Sequence, residues 1–500
     1  MRTGWKANCE PSLKILYYNW ADYLDAERRG GGVSVYQSNL MQEIGRRPDV
    51  EAVFLSSGLS YDLPSGAPRW EAVRHGPWQD RERRYEIVNS GVLAPAHHAF
   101  GDARQVEDAP TREAFFDFIA KTGPYDVVHF SNLEGLPASV LSLKARWPET
   151  RVILSLHNYY PICPQVNLWF QERETCADFA NGAKCAQCLP HQHNPRHLRL
   201  ANGMAYRLKR AGAHPDGMAF KVGFVWSIRV ARRLLRAKAL LRRRPSGVAP
   251  AAVSGPSSAH FAARRSEMVA AINAHCDRVL CVSDAARRLA QDHGVAPELT
   301  HTSYIGTREA AEFSRTALRP RLMGGDGNLT LGYLGYMRRD KGFYFLLDAL
   351  RTLPPPLAAR VRLVVAARRG DPATMDQLAS LGGHLGGLHH VDGYSHDDLD
   401  DLLGQVDVGV VPVLWHDNLP QVAIEMHARH IPLLTSDMGG AQELSGCADM
   451  VFRAGDAAAF HDRIAALLEG RVDMQAYWRD ARAPTGMSEH LEDLFAHYRG

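Results

Sequence analysis

Short apolar runs rich in β-branched residues punctuate this chain, with amphipathic stretches between them. "LKILYYNW" (13–20) leads to a glycine triplet at 30–32, and "VSVYQSNLMQEI" after it has helical spacing. A strand, a Gly-rich turn and a helix are predicted in that order. "VEAVFLSS" (50–57), "YDVVHFS" (125–131) and "TRVILSLHN" (150–158) are further strand-like runs, separated by helical stretches such as "TREAFFDFIAKTG". Alternation of this kind predicts a parallel, doubly wound sheet.

The pattern lapses between about 190 and 262 and then restarts. "DRVLCVSDAARRLAQDHG" (277–294) reads as strand, Ser-Asp cap and helix. "LTLGYLGYMRRDKGFYFLLDALRTLP" (329–354), "VRLVVAARRG" (361–370), "DVGVVPV" (407–413) and "IPLLTSDMGG" (431–440) form a second α/β series. A chain of 500 residues exceeds what one hydrophobic core usually holds, which agrees with two series. The expected organisation is one Rossmann-like domain over 1–300, a second over 301–480, and a C-terminal helix in 481–500 crossing back to the first. A cleft between the domains follows.

Composition narrows the function classes. With 45% hydrophobic residues, 23% charged residues and a net charge of +3, the chain is neither disordered nor a whole-chain nucleic-acid binder. "MRTGWKANCEPSLKILYYNW" has polar residues where a signal peptide needs an apolar core, so a cytoplasmic location is expected. The longest uncharged run, "VILSLHNYYPICPQVNLWF", is broken by His157, Asn158, Pro161 and Pro164, which argues against a membrane span.

The candidate chemistry centres on "WHDNLPQVAIE" (415–425). A buried strand ends in a loop, and Asn418 and Pro420 are start signals for a helix running to about His430. Such a helix opens at the carboxyl edge of the sheet, where its free N–H groups favour a phosphate. Glu425, one turn beyond Gln421, is placed to accept hydrogen bonds from a ribose diol, and Asp417 to face a sugar beyond the phosphates. Spacing alone also allows a second reading, in which Asp417 and Asn418 cap the helix and Glu425 is solvated.

The stretch resembles the motif of retaining, GT-B-type glycosyltransferases of family four, in which two acidic residues bracket seven others. Asp417-x7-Glu425 fits with Asp in place of the more usual Glu, and "WHDNLP" is similar to a Trp-x-Glu-Asn-x-Pro form. "SDMGGAQEL" (436–444) resembles the family's next strand and Gly-Gly-x-x-Glu turn, and "LGYLGYMRRDKGFYFLLDAL" its Gly-to-Lys-Gly phosphate motif. The resemblance implies a GT-B fold, two Rossmann-like domains facing a central cleft. It implies Glu425 on the ribose, Asp417 beside the transferred sugar, and Asn418, Leu419, Pro420, Gln421 and Val422 holding sugar and phosphate. Lys341 would neutralise the leaving diphosphate. The family often has arginine after the first glycine of that motif. Here Tyr336 follows Gly335, so Arg338 or Arg339 is the substitute.

In the first domain "GGGVSVYQSNL" resembles the family's Gly-rich turn, with Gly31 and Gly32 letting the backbone approach diphosphate or acceptor. Many members carry His-x-His where this chain has His129 followed by Ser131. His129 and His157 are candidate cleft residues, each with the alternative of a satisfied strand-end histidine. The family implies a step on one face of the sugar, with no protein general base and no metal or other cofactor needed for transfer.

Two features stand apart. Cys163, Cys176, Cys185 and Cys188 cluster in a loop over about 159–190, ending in "CAQC". Structural zinc, free thiols and disulfides are the alternatives. From 217 to 266 there is no acidic residue but eleven Lys or Arg, eight of them in "RVARRLLRAKALLRRR" (229–244). Val230, Ala231, Leu234, Leu235 and Leu241 give that run a basic amphipathic helix. It is either a soluble cationic face or a surface for an anionic membrane leaflet, within an insertion over about 190–262. It lacks the interleaved aromatics of a nucleic-acid site.

The combined expectation is a retaining transferase moving a sugar from a nucleotide-diphosphate sugar to a glycan or lipid-linked acceptor, in cell-surface polysaccharide biosynthesis. A nucleotide-sugar epimerase or phosphorylase on the same fold, or a non-catalytic membrane-associated subunit, are the competing readings.

Overall fold

A computed structural model describes residues 13–189, 194–241, 257–319, 321–395 and 398–500. The signal-peptide reading of residues 1–12, the basic residues 242–244 and the loop to 256 lie outside the described residues.

Among the described residues, ten strands belong to the first half of the molecule, residues 13–302: β1 (Leu13–Tyr18), β2 (Val50–Ser60), β3 (Arg69–Ala72), β4 (Arg84–Val88), β5 (Val127–Phe130), β6 (Arg151–Leu156), β7 (Trp169–Phe170), β8 (Glu174–Thr175), β9 (Arg278–Cys281) and β10 (Thr300–Thr302). Eight form one sheet in the order β10-β9-β6-β5-β1-β2-β4-β3, parallel except at the β3 edge. β7 and β8 pair separately within the cysteine loop. The second half supplies β11 (Leu329–Gly335), β12 (Val361–Ala367), β13 (Gly387–Asp392), β14 (Val408–Val411), β15 (Leu433–Ser436) and β16 (Val451–Phe452). Their order, β13-β12-β11-β14-β15-β16, is the doubly wound order, all parallel.

The near-continuous apolar runs follow from burial on both sheet faces. Leu16 and Tyr18 of β1 enter one core cluster while Ile15 and Tyr17 enter another, so no polar position is needed between them. A third cluster lies under β11, β12 and the helices Phe343–Arg351 and Ala457–Leu468. The second cluster is shared by the two halves: Val282 and Ile305 from one side pack with Leu334, Val413, Leu419 and Ile424 from the other.

The helix Met487–Arg499 lies on the helix Gly31–Ile44, and Tyr498 Oη sits 3.1 Å from Tyr17 Oη. The lapse in the strand pattern is filled by two helices, Pro195–Arg210 and Met218–Leu241. Among the described residues no helix is long and apolar enough to cross a membrane.

Candidate functional site

The site is built where the second sheet reverses its winding. β11 and β14 are neighbours in the sheet, and the chain leaves each at its carboxyl end in opposite directions, opening a crevice. Three loops meet there: 336–342 after β11, 412–420 after β14 and 437–443 after β15.

Close backbone packing locks the loops together. Leu414 N–H donates to the Asp340 carbonyl (2.9 Å) and Gly440 N–H to the Asp417 carbonyl (2.9 Å). Gly342 has φ +73°, and a Cβ there would lie 1.7 Å from the Pro412 carbonyl oxygen. Gly439, at φ +76°, would place its Cβ 1.9 Å from the Asp417 carbonyl. Only glycine fits where two backbones approach this closely in a left-handed conformation.

That clamp presents a charged pair. Lys341 Nζ donates to Asp417 Oδ2 at 2.6 Å and lies 5.0 Å over the Trp415 ring. Asp417 is 7% exposed and Glu425 6% exposed, so the solvated reading of Glu425 does not hold. Glu425 Oε2 accepts from Tyr394 Oη at 3.2 Å.

The capping reading fails as well. The helix Gln421–His427 has Pro420 at its N-cap and no side-chain cap bond. Asp417 is engaged with Lys341, and Asn418 Nδ2 donates across to the Leu156 carbonyl at the end of β6 (2.9 Å). The helix is also shorter than expected, because His430 turns left-handed (φ +53°) and redirects the chain into β15. Leu419 and Val422 pack in the shared apolar cluster. Gln421 faces the first half, where a Cβ on Gly32 would lie 3.5 Å from its Cγ, and Gly31 starts the helix behind that turn.

The arginines after Gly335 point elsewhere. Arg338 is held by Asp340 through two bonds of 2.9 Å, while Arg339 is exposed beside the Tyr344 ring. Neither reaches the Lys341–Asp417 pair through any contact among the described residues.

The two histidines separate. His129 is 1% exposed, with Nδ1 engaged by Tyr498 Oη and Nε2 by Ser155 Oγ. It is a satisfied interior residue, because the C-terminal helix covers the strand end on which a cleft position was expected. Its partner position Ser131 accepts from Gln37 Nε2 (2.8 Å), in a buried chain that continues through Asn19 to Asn132. His157 is half-buried, 5.0 Å from the Tyr36 ring, and its Nε2 has no hydrogen-bond partner. Burial, aided by the charge of His490, pushes its pKa down to about 3, so the ring is neutral at physiological pH.

Sequence reasoning missed several groups. Tyr159 Oη and Trp415 Nε1 are buried and unpartnered, as is Oδ1 of the expected site residue Asn418, and Tyr159 lies within electrostatic reach of Asp417. Unsatisfied buried polar atoms gathered in one crevice mark a place where a polar ligand completes the bonding. The doubled tyrosine in "HNYYPICP" was the available signal. Glu443, from the Gly-Gly-x-x-Glu turn, reaches the first half: it accepts from the N–H groups of Asp284 (2.9 Å) and Ala285 (2.6 Å) and from Tyr304 Oη (2.8 Å). It thereby caps the helix Asp284–Asp292 alongside Ser283.

Residues 328–470 match the family model for glycosyl transferases of group 1. The chain has the GT-B fold. Solved structures share this fold over nearly the whole length of the chain. A glycosyltransferase from Rickettsia africae aligns over 98% of each chain at 12% identity (TM-score 0.53). An α,α-trehalose 6-phosphate synthase from Burkholderia multivorans aligns over 97% of this chain and 98% of that one, at 14% identity (TM-score 0.52). Anabaena Alr3699/HepE in complex with UDP aligns over 97% and 95%, at 13% identity (TM-score 0.50). No curated protein matches the chain in sequence.

The cysteine loop sits beside this crevice, since Thr175 Oγ1 donates to the Leu414 carbonyl at 2.8 Å. None of the four cysteines is in a disulfide, and all four line one small cavity with Lys184 and Arg265. Cys188 Sγ donates to Gln165 Oε1 at 2.9 Å. Among the described residues no three ligand-type side chains are drawn together into a metal-holding group.

Proposed function

We propose that this protein is a glycosyltransferase that moves a sugar, with retention of configuration, from a nucleotide-diphosphate sugar to a glycan or lipid-linked acceptor in cell-surface polysaccharide assembly. The observation that carries the reading is the Lys341–Asp417 pair at the winding reversal of the second sheet, with Glu425 buried in the helix that follows Asp417. A donor entering the crevice would exchange Asp417 for its diphosphate as the partner of Lys341, leaving Asp417 to accept from sugar hydroxyls. Lys341 then stabilises charge that grows on the leaving phosphate, the kind of interaction that lowers a barrier most. Glu425 takes the ribose diol, and the backbone from Asn418 to Val422 holds sugar and phosphate. Anabaena HepE, of the same fold, was solved with UDP, which makes uridine donors the first to test.

Peripheral membrane contact is part of the same reading. The helix Met218–Leu241 exposes Met218, Val222, Val225 and Trp226, an apolar stripe at helical spacing, just ahead of its basic run. Apolar burial combined with basic residues is the pattern of a helix lying on an anionic leaflet.

A structural zinc ion would complete it, Cys163, Cys176, Cys185 and Cys188 closing on the metal from the one cavity they line. Two cations support this: among the described residues buried Arg264 donates to Gln105 and to the Tyr160 and Pro161 carbonyls but to no carboxylate, and Arg265 donates to the Ile162 carbonyl, while both feel the nearby thiols. Four thiolates around Zn²⁺ leave a negative charge that two guanidinium groups balance. Elemental analysis should find about one zinc per chain, lost in Cys185→Ser. Metal-free protein with all four thiols reactive under native conditions would refute it.

The central test is thermal stability with uridine, guanosine, thymidine and adenosine diphosphate sugars. The right donor at about 100 times its Kd should add roughly 2.7 kcal/mol to the parent and nothing to Glu425→Ala. Equal stabilisation of both proteins, or of neither, rejects the donor-site assignment.

A further inference from the structure

A second cavity, of about 450 Å³, opens at the carboxyl edge of the first sheet, and none of Lys341, Asp417, Asn418 or Glu425 lines it. Its walls come from segments distant in sequence: 22–29 after β1, the end of β2, the 74–86 region around β4, and the turn 209–215 between two helices. The segment 22–29 runs straight into the Gly30–Gly32 turn that faces Gln421 of the donor crevice. One wall of the cavity therefore borders the space where the two halves meet.

The floor carries an unused acceptor. Glu86, 3% exposed, spends Oε2 on the Ser60 hydroxyl and on His75 Nε2 (3.2 Å), while its buried Oε1 has no hydrogen-bond partner. An orphaned carboxylate oxygen nine-tenths buried in a cavity wall calls for a donor from a ligand, and a hydroxyl supplies one. Burial by itself would raise the Glu86 pKa, but His75, Ser60 and Lys209 outweigh it and hold the carboxylate ionised.

The mouth carries unused positive charge. Most cations of the wall are neutralised: Arg84 by Asp22 (3.0 Å), Arg29 by Asp25 (2.9 Å), Lys209 by Glu27 (2.9 Å) and Arg210 by Glu71 (3.1 Å). Arg74 and Arg81 make no ion pair with a carboxylate among the described residues. Arg81 donates to the carbonyls of Gly76 (2.9 Å) and Pro77 (3.3 Å) and lies 3.7 Å from the Trp78 ring. Trp78 itself is 82% exposed, a large aromatic surface left in solvent at the lip of a polar cavity.

We infer that this cavity is the acceptor subsite, and that it selects a saccharide bearing an anionic substituent. Glu86 Oε1 receives a sugar hydroxyl, the Trp78 ring covers a sugar face, and Arg74 with Arg81 pairs the acidic group. The inference rests on the glycosyltransferase reading above, which it extends from the donor to the acceptor. The anionic group has two sources, a carboxylate on the glycan or the phosphate that joins a saccharide to its carrier.

The full-length protein, saturated with UDP, is titrated with three probes while tryptophan fluorescence is followed: a neutral disaccharide, the same disaccharide ending in a uronic acid, and a disaccharide 1-phosphate. At least one acidic probe should bind ten-fold or more tightly than the neutral one, and added salt should weaken it. Which acidic probe wins identifies the source of the charge. The double variant Arg74→Ala/Arg81→Ala should lose the preference, and Glu86→Gln should weaken all probes while UDP still stabilises both variants. Equal affinity for neutral and acidic probes, a preference that survives the double variant, or no binding of any probe to UDP-loaded protein would each overturn the inference. Failure of UDP binding in the parent would instead strike the donor reading.

Discussion

The carboxyl edges of the two sheets are the same feature built twice, yet they are finished differently. At the second sheet the edge is closed down: three short loops lie backbone to backbone, two glycines make that approach feasible, and one lysine and one aspartate sit paired at the centre. The first sheet's edge is a buried chain of amides and a serine, Asn132, Asn19, Gln37 and Ser131, beside an open cavity walled from four remote segments. A nucleotide diphosphate has constant geometry, and a rigid, locally encoded frame suits it. On the proposed reading the first half takes an acceptor, which varies between enzymes, and loops that can change independently suit that task.

The most severe break in this comparison comes from the closed edge. On the proposed reading Lys341→Ala should lower kcat by roughly 10²–10³, about 3–4 kcal/mol, with a smaller change in donor KM, because the lost interaction would strengthen as the phosphate leaves. Steady-state release of nucleoside diphosphate measures it. A change confined to KM would mean that Lys341 binds donor and transition state alike.

The next effect belongs to the first edge. Burial raises the carboxyl of Glu134 to about 7, although Ala96 N–H and Asn158 Nδ2 both donate to it. Its folded pKa lies above its unfolded one, so this group favours the folded state most below about pH 4.5. That contribution is lost as pH rises from there toward 7. Unfolding free energy should fall by up to about 3 kcal/mol over that window on this account, and Glu134→Gln should flatten this part of the curve in urea titrations. An unchanged slope would show that another group titrates.

The smallest effect tests the join between the halves. Glu443→Ala removes a carboxylate that caps the helix Asp284–Asp292 from the other half, and should cost about 1–2 kcal/mol of stability. Donor binding measured by thermal shift should persist. A loss of donor binding as well would mean that Glu443 holds the crevice open to ligand.

How much of this was legible follows the same division. The runs 13–18, 329–335 and 361–367 announced themselves as strands because both sheet faces are buried, and Ser283 could be read as a cap because capping is local. His129 could not be judged from "VVHFS", since what covers it is Tyr498, 369 positions away. The capping alternative for Asp417 and Asn418 could not be dismissed from spacing either. It gives way only to partners at Lys341 and Leu156, far along the chain.

The sequence by itself determined the doubly wound class, the two-series organisation and the contiguous motifs of the second half, because hydrophobic period, turn chemistry and short-range spacing are properties of neighbouring residues. Tertiary structure alone decided which charges are spent and which are free. Arg84, Arg74 and Arg81 look alike in the sequence, yet only folding brings Asp22 to the first. An ion pair between residues 62 positions apart is set by how the sheet brings them together, and no local pattern encodes that.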